Sequence, residues 1–143
     1  MKHREIVPDA SVILKWAFNA EAGEQDAANA EGLLQGWVDG KYTILLPSLW
    51  IFEVGNVLGL KVPDMADAIM EVFIDYRFVS VDITHNLCGK TFDLMKKYGV
   101  TFYDAVYHAV ALRQKGLLVT ADESYYKKAK GSGHIALLRD FSP

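Results

Sequence analysis

The chain has 143 residues, a mass of 16.0 kDa and a formal net charge of −3, with 51% hydrophobic and 23% charged residues. That length suits one domain, residues 1–143, able to bury a core unaided, and the composition excludes a disordered chain. A single cysteine, Cys88, excludes an internal disulfide framework and a Cys-based zinc site.

The elements alternate in chain order. Glu5–Pro8 reads as a short strand ending at Asp9, and Ser11–Phe18 as a helix of one to two turns. Glu24–Asp39 carries Ala27, Ala30, Leu33, Leu34 and Val38 near a helical period. Lys41–Leu46 is a strand closed by Pro47, and Ser48 is placed to cap a helix running to about Leu60. Pro63 at a first-turn position opens another helix, to about Tyr76, followed by a strand at Phe78–Val81. Thr84 caps a helix that stops at Gly99, and Thr101 starts one that stops at Gly116. Leu117–Thr120 is a strand, Glu123–Lys130 a short helix and Ile135–Leu138 a last strand. Five short strands separated by helices predict an α/β fold, a three-layer α/β/α sandwich around a mostly parallel five-stranded sheet. Ligands of such sheets bind beyond the carboxyl ends of the strands, where strand order reverses.

No apolar run approaches the ~18 residues of a membrane span, and no signal-like leader is visible, so a cytoplasmic protein with no membrane partner is expected. Charge is uneven: residues 1–89 hold 6 Lys/Arg and 13 Asp/Glu, and residues 90–143 hold 9 and 5. The basic final third could present a rim for a polyanion, or reflect chance clustering.

Four carboxylates stand in unusual places. Asp9 and Asp122 each follow a strand, with Ser11 two residues after the first and Thr120 two before the second. Both could equally be helix N-caps. Glu53 has Trp50, Val57 and Leu60 as helical neighbours, which points to partial burial, the plain alternative being an exposed Glu on the edge of a mostly buried helix. Asp104 opens an almost uniformly apolar helix, where a carboxylate in a capping box is the plain alternative. If the four converge, their repulsion raises their pKa values and a divalent cation relieves it. Oxygen ligands without thiolates point to Mg²⁺ or Mn²⁺. His108, one turn after Asp104 among Ala and Val, reads as a hydrogen-bonded core residue. Glu21 and Glu123 could flank the acidic group. Lys15, Arg113, Lys127, Lys128 and Lys130 could hold phosphates or simply face solvent.

Four segments together resemble the PIN-domain nucleases, and within them the VapC-type toxins of prokaryotic toxin–antitoxin pairs. They are Val7-Pro-Asp9-Ala-Ser11-Val-Ile-Leu-Lys15-Trp, Leu46-Pro-Ser-Leu-Trp-Ile-Phe-Glu53-Val-Gly-Asn56, Tyr103-Asp104-Ala-Val-Tyr-His-Ala-Val-Ala and Val119-Thr120-Ala-Asp122-Glu123. The resemblance implies a metal-dependent endoribonuclease with an acidic quartet of Asp9, Glu53, Asp104 and Asp122. It implies Asp9, Asp104 and Asp122 as metal ligands, supported by Ser11 and Thr120. It also implies an RNA substrate cut to a 5′-phosphate and a 3′-hydroxyl, an antitoxin that inserts a segment over the site, and a homodimer. Apolar excess over residues 48–76 agrees with the last. Pro8 ahead of Asp9 and Val100-Thr-Phe ahead of Tyr103 depart from the family's usual pattern; neither removes a metal ligand. The competing reading is a non-catalytic module of the same fold that binds RNA or protein.

Overall fold

A computed structural model describes residues 4–22 and 26–143, with the side chains of residues 19–22 outside the description. The strands are β1 (Arg4–Pro8), β2 (Tyr42–Pro47), β3 (Val79–Val81), β4 (Leu117–Thr120) and β5 (Ile135–Leu137). The helices are α1 (Ala10–Ala22), α2 (Ala27–Val38), α3 (Trp50–Lys61), α4 (Ala66–Asp75), α5 (His85–Tyr98), α6 (Phe102–Gln114) and α7 (Glu123–Ala129). All four strand pairings are parallel, in the order β3-β2-β1-β4-β5. The expected α/β architecture is therefore met, with a sheet that is wholly rather than mostly parallel.

Parallel strands need long crossovers, and helices fill them on both faces. Helix α6 lies against β1, β2 and β4 and packs on α5, while α1 packs on α2 and touches β1 and β4. Residues of either alternation are therefore buried in the central strands: Ile6 and Val7 in β1, Leu118 and Val119 in β4 have no exposed surface. Helix α6 is apolar all round because it sits between sheet and α5, and Ala105 through Ala111 are all buried.

Several helix ends follow the sequence. Thr84 accepts from the Leu87 N–H at 3.2 Å, Thr101 from the Asp104 N–H at 3.2 Å, and Gly99 takes the left-handed conformation at φ 64°. Others do not. Ser48 does not cap α3; its N–H donates to the Val81 carbonyl at 2.9 Å and extends the β2–β3 ladder, so the helix starts only after Leu49. Pro63 lies in the turn between α3 and α4, and α4 begins at Ala66. Helix α6 ends with Lys115, not Gly116, in the left-handed conformation at φ 56°. Gly116 serves another need: a Cβ there would sit 2.6 Å from the Glu5 carbonyl oxygen, so the chain can pass β1 only without a side chain. Helix α1 runs 13 residues, well beyond Phe18, because the following Asn-Ala-Glu-Ala holds nothing that breaks a helix. The expected start of the second helix at Glu24 lies outside the described residues. The last strand is one residue shorter than read, and Leu138 opens a 3-10 turn. Among the described residues no helix is long and apolar enough to cross a membrane.

Candidate active site

In the order β3-β2-β1-β4-β5, the chain leaves β1 toward one edge and returns to the other at β4. The carboxyl ends of β1 and β4 thus flank the switch point, where a crevice opens in sheets of this kind. Asp9 follows β1, and Asp122 follows β4 by two residues. A cleft of about 220 Å³ lies there, and Asp9, Glu53, Asp104 and Asp122 all line it. The structure thus gathers all four carboxylates singled out in the sequence, from four separate elements.

Asp9 is part-buried and tied to both strands. Its Oδ1 accepts the Ser11 N–H at 3.0 Å and the Ser11 hydroxyl, and its Oδ2 accepts the Thr120 hydroxyl at 2.5 Å. Ser11 is the second residue of α1, so Asp9 caps that helix as well as lining the cleft. The hydroxyls are locked in turn: Ser11 Oγ accepts the Ala121 N–H at 2.9 Å, and Thr120 Oγ1 accepts the Asp122 N–H at 3.0 Å. Asp122 caps α7 through Oδ1, which accepts the Tyr125 N–H at 3.0 Å. Asp104 lies in the first turn of α6, behind the Thr101 cap. Of the two readings open for Asp9 and Asp122, the cap is what the hydrogen bonds show; it leaves room for the other, because a cap uses only part of a carboxylate's acceptor capacity.

Glu53 is half-buried on α3, as its neighbours predicted, although Leu60 is 76% exposed and takes no part in covering it. Its Oε1 accepts the Tyr107 hydroxyl at 2.8 Å. Sequence reasoning passed over Tyr107. The available signal was spacing: it stands three residues after Asp104, so both meet the same face of α6. Tyr103 also lines the cleft, at its rim, with half its surface exposed.

Electrostatics set this cleft apart. Burial pushes the Asp9 carboxyl up from 3.8 to about 6, against the pull of the Ser11 and Thr120 hydroxyls and with a further push from Asp104. Burial likewise raises Glu53, opposed by the Tyr107 hydrogen bond and helped by Asp9 and Asp104. Asp104 is raised by burial and by Asp122, with Thr101 and Lys128 pulling the other way. Among the described residues, no basic side chain lines the cleft. The donors are all carboxylate and hydroxyl oxygens, a set that suits a hard divalent cation and not a soft one. The fit is looser than expected, since no three His, Cys, Asp or Glu side chains among the described residues form a ready ion cage. Mg²⁺ tolerates that, because it keeps several of its waters and takes one or two carboxylates directly.

Among the described residues, the other candidates do not line the cleft. His108 is fully buried; its Nε2 lies 2.8 Å from the Gly133 carbonyl and its Nδ1 2.8 Å from the Tyr125 hydroxyl. A carbonyl only accepts, so Nε2 carries the proton and Nδ1 accepts from the tyrosine. Glu123 is turned to an exposed ion pair with Arg139. The side chain of Glu21 lies outside the described residues. Lys128 stands near enough to act on Asp104, and Lys15 lines a small hollow beside Ser11 and Leu14.

The fold matches VapC20 of Mycobacterium tuberculosis, a sarcin–ricin loop cleaving toxin, at 16% identity over 90% of this chain and 95% of that one, TM-score 0.64. It matches a toxin–antitoxin complex from Klebsiella pneumoniae at 17% identity over 93% and 97%, TM-score 0.66. PAE2754 from Pyrobaculum aerophilum matches at 26% identity over 96% and 92%, TM-score 0.60. No curated protein matches the chain. The PIN domain family model matches residues 6–131, which takes in all four cleft carboxylates, and the chain belongs to the PIN domain family.

Proposed function

We propose that the protein is a metal-dependent endoribonuclease, the toxin of a toxin–antitoxin pair. One observation carries the reading: four carboxylates spread from residue 9 to residue 122 line one cleft at the sheet's switch point, with no cationic side chain among the described lining residues. Asp9, Asp104 and Asp122 would hold Mg²⁺ or Mn²⁺. When bound, the ion lowers the pKa of a water and neutralises charge on the phosphoryl oxygens. Ser11 and Thr120 keep the Asp9 carboxylate fixed through the hydroxyl contacts described above. Glu53, held by Tyr107, either completes the ligand set or orients the attacking water by accepting its proton. In-line attack by water leaves a 5′-phosphate and a 3′-hydroxyl.

A structured RNA panel incubated with Mg²⁺ and with EDTA tests the reading. Cleavage that needs the metal and is lost in Asp9→Asn is the expected result. RNA binding without cleavage under any divalent metal would overturn it in favour of a non-catalytic module.

Two partners belong to the same proposal. The first is an antitoxin, in keeping with fold neighbours that are themselves toxin–antitoxin complexes. Arginine from such a partner suits the acidic cleft, because its guanidinium pairs with carboxylates as a fixed fork and competes with the cation. Inhibition should therefore weaken as Mg²⁺ rises. The second is another copy of the chain: within residues 48–76, Trp50, Val54, Leu58 and Phe73 enter the core, whereas Phe52, Leu60, Met65 and Val72 stay at least half exposed. A patch of that kind favours a homodimer, and sedimentation at twice the 16.0 kDa chain mass is expected. A cytoplasmic location fits both partners.

A further inference from the structure

Tyr107 lines the cleft with a side chain that is almost wholly interior, 1% exposed, yet its hydroxyl is spent on a carboxylate and not on the backbone. Its ring belongs to the buried hydrophobic core. Its Oη reaches Oε1 of Glu53 on α3 at 2.8 Å. Among the described residues the Tyr107 hydroxyl is the one side-chain hydrogen bond that Glu53 takes; Trp50 and Val57, three and four residues away on α3, are apolar, and a glutamate has three free side-chain torsions. A tyrosine locked in the core has almost none to spare. Helix α6 thus supplies one cleft carboxylate itself, Asp104, and steers a second from the neighbouring helix.

We infer that Tyr107 is a positioning residue: its hydroxyl holds Glu53 in one orientation in the cleft and thereby sets the affinity of the cleft for a divalent cation. The inference rests on the reading of the cleft as a cation site. Partners that orient a metal-binding side chain commonly change metal affinity about 10- to 100-fold when removed. Tyr107→Phe keeps the ring and removes only the oxygen, and Glu53, being half-buried, can turn to water.

The test is Mn²⁺ binding by calorimetry to the full chain, without RNA, for wild type, Tyr107→Phe, Glu53→Gln and the double variant, with melting curves alongside. Tyr107→Phe is expected to weaken Mn²⁺ binding about 10-fold, with a metal-free melting temperature close to wild type. In the Glu53→Gln background the same change should do nothing further, because Tyr107 acts through Glu53. Half-saturating Mn²⁺ for RNA cleavage should rise by the same factor. Wild-type Mn²⁺ affinity in Tyr107→Phe, with or without a lower melting temperature, overturns the inference and leaves Tyr107 a packing residue. Additive losses in the double variant also overturn it. A wild-type protein that binds no Mn²⁺ is a separate outcome, which removes the cation site and the inference with it.

Discussion

Asp104 and His108 stand one turn apart on α6, yet their surroundings are opposite in kind. Around His108 every polar atom has its complement: the ring donates to Gly133, accepts from Tyr125, and joins α6 to α7 and to the loop before β5. Burial pushes its pKa below 6.5, so the neutral ring is the native form and its pairing is complete. Around Asp104 the acceptors outnumber the donors, and burial and neighbouring carboxylates raise Asp9, Glu53 and Asp104 together. The first group closes upon itself and holds the fold. The second is left electrostatically unbalanced at the one point where the sheet opens. A polar group that the protein itself satisfies is structural; the cleft carboxylates find no basic side chain among the described lining residues.

That contrast can be broken in four ways, taken from the largest expected effect. Asp9→Asn should lower RNA cleavage by ~10²-fold or more, the equivalent of ~3 kcal/mol, while the metal-free protein melts higher than wild type above pH 6. Equal cleavage by the variant, with normal circular dichroism, refutes the role given to Asp9.

The pH dependence comes next. The folded pKa of Asp9, about 6, lies above its unfolded value of 3.8. Its contribution to stability is therefore fully present below 3.8 and is lost as pH rises through about 6. The loss is on the order of 3 kcal/mol in EDTA, and Mg²⁺ should restore it. His108 works the other way: its pKa is depressed on folding, so its contribution is present above 6.5 and lost as pH falls below that. Subtracting Asp9→Asn melting curves from wild-type curves between pH 4 and 8 isolates the first slope, because the histidine is common to both. A difference that does not change with pH would show that Asp9 carries no such strain.

His108→Ala leaves a hole and strands the Gly133 carbonyl and the Tyr125 hydroxyl, so a destabilisation of about 2–4 kcal/mol is expected in urea titrations. Cleavage per folded molecule should hold. A loss of cleavage exceeding the loss of folded protein would move His108 into the site. Tyr125→Phe removes one end of the same group, and the expected cost is about 1 kcal/mol. A cost of several kcal/mol would mean that the histidine pairing has more at stake than its two visible contacts.

How much of this could be read in advance depends on how local the cause is. Thr84, Thr101 and Gly99 act within one turn of their own helices, and all three do what their residue types suggest. The positions of Asp9 and Asp122 beyond strand ends follow from short-range patterning, and the topology then places them side by side. Ser48 failed because a neighbouring strand claims its N–H, a competition that no local pattern records. Gly116 failed for a similar reason: the backbone of Glu5, far back in the chain, is what forbids a side chain. Tyr107 was lost among apolar residues, because a buried tyrosine looks like core until the glutamate on another helix is placed against it.

The position of β1 has a consequence in time. It precedes the other four described strands in the chain, and it lies at the centre of the sheet, with Ile6 registered against Leu117. At the ~5–20 residues per second of synthesis, roughly 5 to 20 seconds separate these two residues. For that interval one side of β1 has no partner, and Asp9 waits for Thr120 and Asp122. A chain that cuts RNA would thus be harmless to the ribosome making it until its second half has emerged.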